Sequence, residues 1–295
     1  GGARILNFLR DVELAWIEVV AATAQANLAE GRLAIAQQLQ SEIARRAPTG
    51  RDPVFIQSRA EAQIALEQIA VDQAHEVARI ARANLASYWR GKPDFQVDLT
   101  AFEGVVVAGG AKALNPDIVL LEAQRSLAAA RVGVERSRAV PDPTVRLGVR
   151  HYNETRDGAL IAGLSVPLGV FDTNQGNIDR AEAERHAAEL DLASARTALN
   201  REVTRLRARL GASLTEARRI QAEVIPRADR TVQLIREGLE RGGFSYVEFN
   251  DALRMLNEAR LRRIAALKSF HQDNAALGRL TGRHARLIGR KGAGR

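Results

Sequence analysis

Residues 144–152 read TVRLGVRHY, and apolar side chains alternate with small or charged ones along this stretch. A second alternating stretch, GALIAGLSV, occupies residues 158–166. A period of two is typical of β-strands, so the two stretches predict an antiparallel hairpin. One side of this hairpin is apolar, and the other is small or charged. The apolar side is expected to carry Val145, Leu147, Val149, Leu160, Ala162, Leu164 and Val166.

The rest of the chain has the pattern of long helices. Helical tracts are predicted at about 3–46, 54–89, 116–138, 176–241 and 245–280, separated by prolines and glycines. Asn115 suits the cap of the third tract, and Pro226 is expected to kink or restart the fourth. Apolar residues within 176–241 recur at spacings near three and four, as in a coiled coil. They are Leu192, Ala195, Leu199, Val203, Leu206, Leu210 and Leu214. The fold class is therefore mainly α, with long antiparallel coiled-coil helices and one β-hairpin.

Residues 94–110 lack a clear period, and the valines at 105–107 predict a short strand there. The segment from about residue 20 to Gly91 resembles the segment from about residue 205 to Gly282, which indicates two structural repeats. We expect residues 1–110 to be a remnant of the first repeat. Residues 111–282 form the second, with the hairpin at 144–166 and a long helical hairpin at 176–282. Residues 283–295 are expected to be a disordered basic tail.

Composition excludes several classes of function. The chain has no cysteine, which removes disulfide frameworks, iron–sulfur sites and cysteine nucleophiles. Its five histidines lie on different elements without the spacing of metal ligands, so neither a metal nor another cofactor is expected. No arrangement of catalytic residues is visible, and the sequence does not predict an enzyme. The net charge is +8, but the basic residues are interleaved with acids and lack the aromatic neighbours typical of nucleic-acid binding.

The apolar runs are far shorter than the ~20 residues of a membrane-spanning helix. The two predicted strands have nine residues each, a length that fits a tilted membrane strand. Strands satisfy their backbone in lipid only within a closed barrel, so this hairpin would need strands from other chains. An alternative is a soluble periplasmic coiled-coil scaffold or adaptor-like protein that buries the hairpin against its helices.

Several motifs resemble the TolC-type outer-membrane efflux channels. They are LNPD at 114–117, PDPTVRLGV at 141–149 and LSVPL at 164–168. The stretch FDTNQGNI at 171–178 is similar to the branch that serves heavy-metal cation pumps of the cobalt–zinc–cadmium or copper–silver kind. The resemblance covers essentially residues 1–282.

This resemblance implies a passive conduit in the outer membrane, with most of the chain in the periplasm. Each protomer of a homotrimer would give four strands to a twelve-stranded barrel in outer-membrane lipid, and long helices to a periplasmic tunnel. A periplasmic adaptor and an inner-membrane proton-driven pump would dock at the helical tips. The tips correspond to Pro48, Thr49, Gly50 and Arg51, and to Gly242, Gly243, Phe244 and Ser245.

Glu248 and Asp251 are similar in spacing to paired acids at the channel entrance of that family, and they share one helix face. The lipid-facing residues would be Val145, Leu147, Val149, Leu160, Leu164 and Val166. Two departures stand out. The leading helix and hairpin of the first repeat are missing, so we expect the chain to be incomplete at its N-terminus. Phe55 also stands near where the family often has an acid.

Overall fold

The computed structural model describes residues 2–46, 54–106, 115–140, 142–154, 156–166 and 173–285. These ranges contain seven α-helices, one π-helical turn and two strands. The helices are α1 (Gly2–Arg46), α2 (Val54–Ser87), α3 (Thr100–Glu103), α4 (Pro116–Arg138), α5 (Gln175–Arg219), α6 (Ile225–Arg241) and α7 (Tyr246–Thr281). The strands β1 (Thr144–Tyr152) and β2 (Asp157–Ser165) form an antiparallel pair. The mainly helical fold class with one hairpin is confirmed.

Contacts divide the chain into two compact units. One comprises residues 1–113 and 201–295, and the other comprises residues 114–200. In the first unit α1 packs against α2 and α7, and α7 packs against α6, which gives the order α2–α1–α7–α6. The second unit contains α4, the hairpin and the first part of α5. These units follow spatial contacts, so the division into sequence repeats stays a prediction.

Three apolar clusters hold the first unit together. The first joins α1 to α7 through Val20, Ala21, Ile264 and Leu267, and the second joins α1 to the start of α7 through Leu39, Ile43, Tyr246 and Phe249. The third lies between α5 and α7 and contains Leu206, Leu210, Phe270 and Leu277. The apolar residues whose spacing predicts a coiled coil in α5 therefore include core residues, namely Leu206 and Leu210.

The predicted interruption at Pro226 is a five-residue π-helical turn, Ile220–Val224, directly before α6. Proline has no amide hydrogen to donate to the carbonyl four residues earlier in an α-helix, and its ring collides with that carbonyl. The wider turn accommodates both effects, and the amide of Ile225 donates to the carbonyl of Ile220. The other ends also agree with prediction. Asn115 caps α4 by accepting from the Asp117 amide at 2.9 Å, and Gly282 ends α7 in the left-handed conformation.

The strand predicted at residues 105–107 is wrong at Val105 and Val106, and Val107 lies outside the described residues. The chain instead forms the short helix α3, and residues 104–106 have no regular structure. Valine runs favour strands only where a partner strand is available. Here the carbonyl of Val106 accepts a hydrogen bond from the side-chain amide of Asn274 at 2.8 Å, and Val105 packs on the α5–α7 cluster.

Residues 93–106 cross the first unit as a strap. The ring of Phe95 lies at a tilt beside Trp16 of α1, with 6.4 Å between the ring centroids, and the Phe95 carbonyl accepts from Arg82 of α2 at 2.9 Å. Phe102 is buried in the α1–α7 cluster. The strap therefore contacts three of the long helices, α1, α2 and α7.

Candidate functional site

The hairpin exposes a continuous apolar face. In the register of the two strands Val145 pairs with Leu164, Leu147 with Ala162 and Val149 with Leu160. Alternation places these side chains on the same side of the sheet. All six predicted lipid-facing residues are exposed, with exposed fractions from 46% for Val166 to 89% for Leu160. An uncovered apolar patch of this kind marks a surface that binds a membrane or another protein. Their contact with lipid stays a prediction.

The opposite face of the hairpin combines arginines with small residues and one isoleucine, Ile161. It carries Arg146 and Arg150, whose cross-strand partners are Gly163 and Ala159. Both arginines are exposed. Along β1 the two arginines therefore project from the face opposite Val145, Leu147 and Val149, because each side chain points away from the next.

Asn174 ties the two helices that flank the hairpin. It has a positive φ of 57°, which asparagine tolerates better than most residues. Its side-chain amide donates to the backbone carbonyl of Glu135 at 2.9 Å and to the Glu135 carboxylate at 3.0 Å. The hydrogen bond from Asn174, together with the Arg138 guanidinium, lowers the pKa of Glu135. The end of α4 is therefore fixed to the start of α5.

The predicted second tip is a tight helix–helix turn. Gly242 ends α6 in the left-handed conformation, with a φ of 80°, and the amide of Gly243 donates to the carbonyl of Gly238 at 2.8 Å. Phe244 lies over Gly238, where an added Cβ would come within 2.1 Å of the ring. Phe244 is partly exposed and Ser245 caps α7. The first predicted tip, Pro48 to Arg51, lies outside the described residues.

Glu248 and Asp251 occupy the first turns of α7, and both are exposed. The Glu248 carboxylate accepts from the Ser245 amide at 2.7 Å and from its hydroxyl at 2.9 Å, and these hydrogen bonds lower the pKa of Glu248. Asp251 lies 3.3 Å from the guanidinium of Arg254. Glu248 therefore also closes a capping box, which the Ser-x-x-Glu spacing at 245–248 indicates and our sequence analysis missed.

A polar cavity of about 410 Å³ lies between α1, α2 and α7. Glu67 lines it and is only 6% exposed, and its carboxylate pairs with Arg32 at 2.7 Å and accepts from Gln63 at 2.8 Å. Asp251 and Asn257 of α7 line the same cavity. Sequence reasoning missed the buried ion pair of Glu67 and Arg32, because a glutamate four residues after a glutamine is equally typical of an exposed helix face.

Within the part of the chain that the structure describes, no three histidine or acidic side chains are grouped closely enough to hold a metal ion. Among the same residues, no helix combines the length and the apolar character that crossing a membrane requires. The candidate functional features are thus the hairpin with its apolar face, the second tip at 242–245, and the acids Glu248 and Asp251 that follow it.

Residues 107–283 match the family model described as outer membrane efflux protein. Among curated relatives, the cobalt-zinc-cadmium resistance protein CzcC of Cupriavidus metallidurans is 27% identical over 275 residues, which cover 91% of this chain and 66% of CzcC. The nickel-cobalt-cadmium resistance protein NccC of Alcaligenes xylosoxydans is 26% identical over 199 residues, or 66% of this chain and 46% of NccC. The chain thus spans less than two thirds of the length of these relatives.

Solved structures share the fold. A crystal structure of CusC superposes with a TM-score of 0.75 at 18% identity, covering 95% of this chain and 69% of CusC. The outer membrane protein VceC from Vibrio cholerae gives a TM-score of 0.70 at 15% identity, covering 94% of this chain and 70% of VceC. At these identities the likeness establishes the architecture of long helices and hairpin.

Proposed function

Because this chain belongs to the outer membrane efflux protein family, we propose that it forms part of an outer-membrane channel that passively conducts heavy-metal cations. The observation that carries the proposal is the exposed apolar face of the hairpin, which water solvates poorly and lipid covers. The heavy-metal resistance named for CzcC and NccC supports this class of substrate. The channel performs no chemistry of its own and is not an enzyme.

The proposed assembly is a homotrimer, with most of the chain in the periplasm. The hairpin joins strands of the other protomers in a closed barrel, because an isolated hairpin leaves backbone groups unsatisfied in lipid. A periplasmic adaptor docks at the tips, where Phe244 offers a partly exposed aromatic ring. An inner-membrane proton-driven pump supplies the energy. The two-repeat organisation belongs to the same proposal, and the family match at 107–283 supports its second repeat at 111–282.

Glu248 and Asp251 are proposed to line the entrance. Threefold symmetry brings six of their carboxylates together, which raises the local concentration of cations and repels anions. Both side chains are exposed, and the hydrogen bonds from Ser245 lower the pKa of Glu248, which favours its ionised form. A permanent negative charge is what an entrance for cations requires.

The test is reconstitution of the intact protein in planar lipid bilayers. We expect detergent-stable trimers that insert, conduct and prefer potassium to chloride. The double variant Glu248→Gln and Asp251→Asn should lower this preference, and glutamine at 248 can still complete the capping box. The matched control is Glu61→Gln with Asp72→Asn, which removes two exposed acids of α2. Unchanged selectivity of the first variant rejects the entrance, and a soluble protein that never inserts rejects the channel.

A further inference from the structure

We infer that an exposed apolar stripe of α2 in one copy of the chain packs into a groove between α5 and α7 of the next copy. The inference deepens the proposed homotrimer and rests on it, because it assigns to a second copy the surface that α2 leaves uncovered. Both surfaces belong to the first compact unit, residues 1–113 and 201–295.

Helix α2 has two apolar faces, and α1 covers one of them. Four buried side chains form the covered face, namely Ala60, Val71, Ala78 and Leu85. The α2 stripe consists of four apolar side chains that are 47–62% exposed, namely Leu66, Ile69, Val77 and Ile80. At about 100° per residue, the centre of the stripe is turned by roughly 140° from the centre of the covered face. A second apolar face of this kind is typical of a helix that packs against two neighbours.

The α5–α7 groove has a volume of about 650 Å³. Its lining includes Gly211, Ala212, Thr215, Ile220 and Val224 from α5 and the π-helical turn, and Ala259 from α7. On α7, Ala259 is turned by roughly 140° from Ile264, which packs against α1. The groove therefore opens away from α1, whereas α2 packs on α1, so one chain cannot bring its own stripe into its own groove.

The stripe and the groove have the same length, because residues 66–80 and residues 211–224 each span about 20 Å of helix. They also lie at the same height along the helices. Val20 of α1 is level with Ile264 of α7, and Arg32 of α1 is level with Glu67 beside the stripe. Counted from these contacts at about 1.5 Å per residue, the stripe spans the height of α7 residues at about 254–267. Ala259 lies within that interval, and so does Arg262, which pairs with Glu216 at the edge of the groove.

This placement fits a ring of copies. The threefold axis of the proposed channel runs along the helices, and rotation about such an axis brings surfaces of equal height together. A contact between two different surfaces, repeated three times, closes the ring and covers every stripe and every groove. Charge favours the same pairing. Residues 201–219 contain six arginines and two glutamates, whereas α2 contains three arginines and four acids. Opposite net charges favour stripe-to-groove contact over contact between two α2 stripes.

The chain contains no cysteine, so introduced thiols report contacts between copies. The matched pairs are Ile69→Cys with Val224→Cys and Ile80→Cys with Ala212→Cys, which share a height in adjacent copies. The control pairs exchange the partners, 69 with 212 and 80 with 224, and are offset by about 17 Å. The intact protein is assembled in lipid vesicles, oxidised with copper phenanthroline and separated under denaturing conditions without reductant. Coassembly of two differently tagged single variants shows that a disulfide joins two chains.

We expect the matched pairs to give about tenfold more covalent trimer than the exchanged pairs, because a disulfide requires Cα atoms within about 7 Å. Trimers in which the matched pairs cross-link no better than the exchanged pairs overturn the inference. Cross-linking of Ile69→Cys alone also overturns it, since that result places two α2 stripes together. A wild-type chain that stays monomeric overturns the proposed homotrimer instead.

A second comparison decides if a cysteine variant does not fold. Ile69→Asp should lower the amount of trimer at least about tenfold, because the contact would bury an isoleucine side chain. The matched control is Gln68→Asp, which changes the adjacent exposed residue outside the stripe. Circular dichroism checks that both variants keep the helical content of the wild type. Equal amounts of trimer in the two variants overturn the inference.

Discussion

Leu147 lies at the centre of the apolar face, and we predict that Leu147→Arg prevents stable insertion. The side chain is 82% exposed and pairs with Ala162 in the middle of the hairpin. Removing leucine from lipid forfeits about 2 kcal/mol, and placing arginine there costs a further 2 kcal/mol or more, so each copy loses about 4 kcal/mol. This cost lowers the equilibrium ratio of inserted to released protein about a thousandfold.

The assay measures the fraction of protein in urea-washed outer membranes and the fraction of trimers that survive in detergent. Ile161→Arg is the matched control. Ile161 pairs with Gly148, the residue after Leu147, and it therefore lies on the opposite face of the hairpin, with the arginines. We expect this variant to insert. In a soluble scaffold with the hairpin in water, Leu147→Arg would change stability by less than about 0.5 kcal/mol. Membrane insertion of Leu147→Arg at the wild-type level would refute the assignment of this face to lipid.

Three further predictions concern the helical part. Ser245→Ala removes the hydroxyl that caps α7 and should lower the free energy of unfolding by about 1 kcal/mol, measured in urea. In the wild type the Ser245 amide, which the variant keeps, and the hydroxyl donate to the Glu248 carboxylate and lower its pKa, so this stabilisation is present above pH 4.5 and is lost as the pH falls through the folded pKa. Glu67→Leu leaves the Arg32 guanidinium without its buried partner and should cost about 3 kcal/mol, whereas adding Arg32→Met should recover most of the loss, and equal costs would contradict a coupled pair. Asp273 is nearly buried, and desolvation raises its pKa, so folding favours the protonated form and stability falls as the pH rises through the window above 3.8. Asp273→Asn should therefore raise the melting temperature at pH 7 but not below pH 3.8, and a lower melting temperature at pH 7 would show that the carboxylate is a net stabiliser.

The hairpin and the long helices could be predicted because their signals are periodic. Alternation over nine residues fixes both the strand and the side on which Leu147 projects, and the spacing of Leu206 and Leu210 fixes the buried stripe of α5. The resemblance to efflux channels added the tips and the acids at 248 and 251. Their exposure is compatible with that role, and the role itself stays a prediction.

The parts that could not be predicted depend on contacts between distant residues. Phe102 lies in a segment without periodicity, and its burial requires α1 and α7 to be already side by side. The run of valines predicts a strand at Val106, whereas its carbonyl accepts from the side chain of Asn274. That residue lies 168 positions later in the sequence, so no local pattern indicates the contact. The burial of Glu67 likewise depends on Arg32, which lies 35 residues earlier. The capping box at Ser245 is different, because its signal is local and was available.

The strap at residues 93–106 has a mechanical consequence for the first unit. It fastens α1, α2 and α7 through Phe95, through Phe102 and through the carbonyl that Asn274 holds. Lifting Phe102 out would expose an aromatic side chain whose loss from a core typically costs several kcal/mol. Moving α1 away from α7 in this region therefore also requires a non-helical segment between α2 and α4 to give up its own core residue.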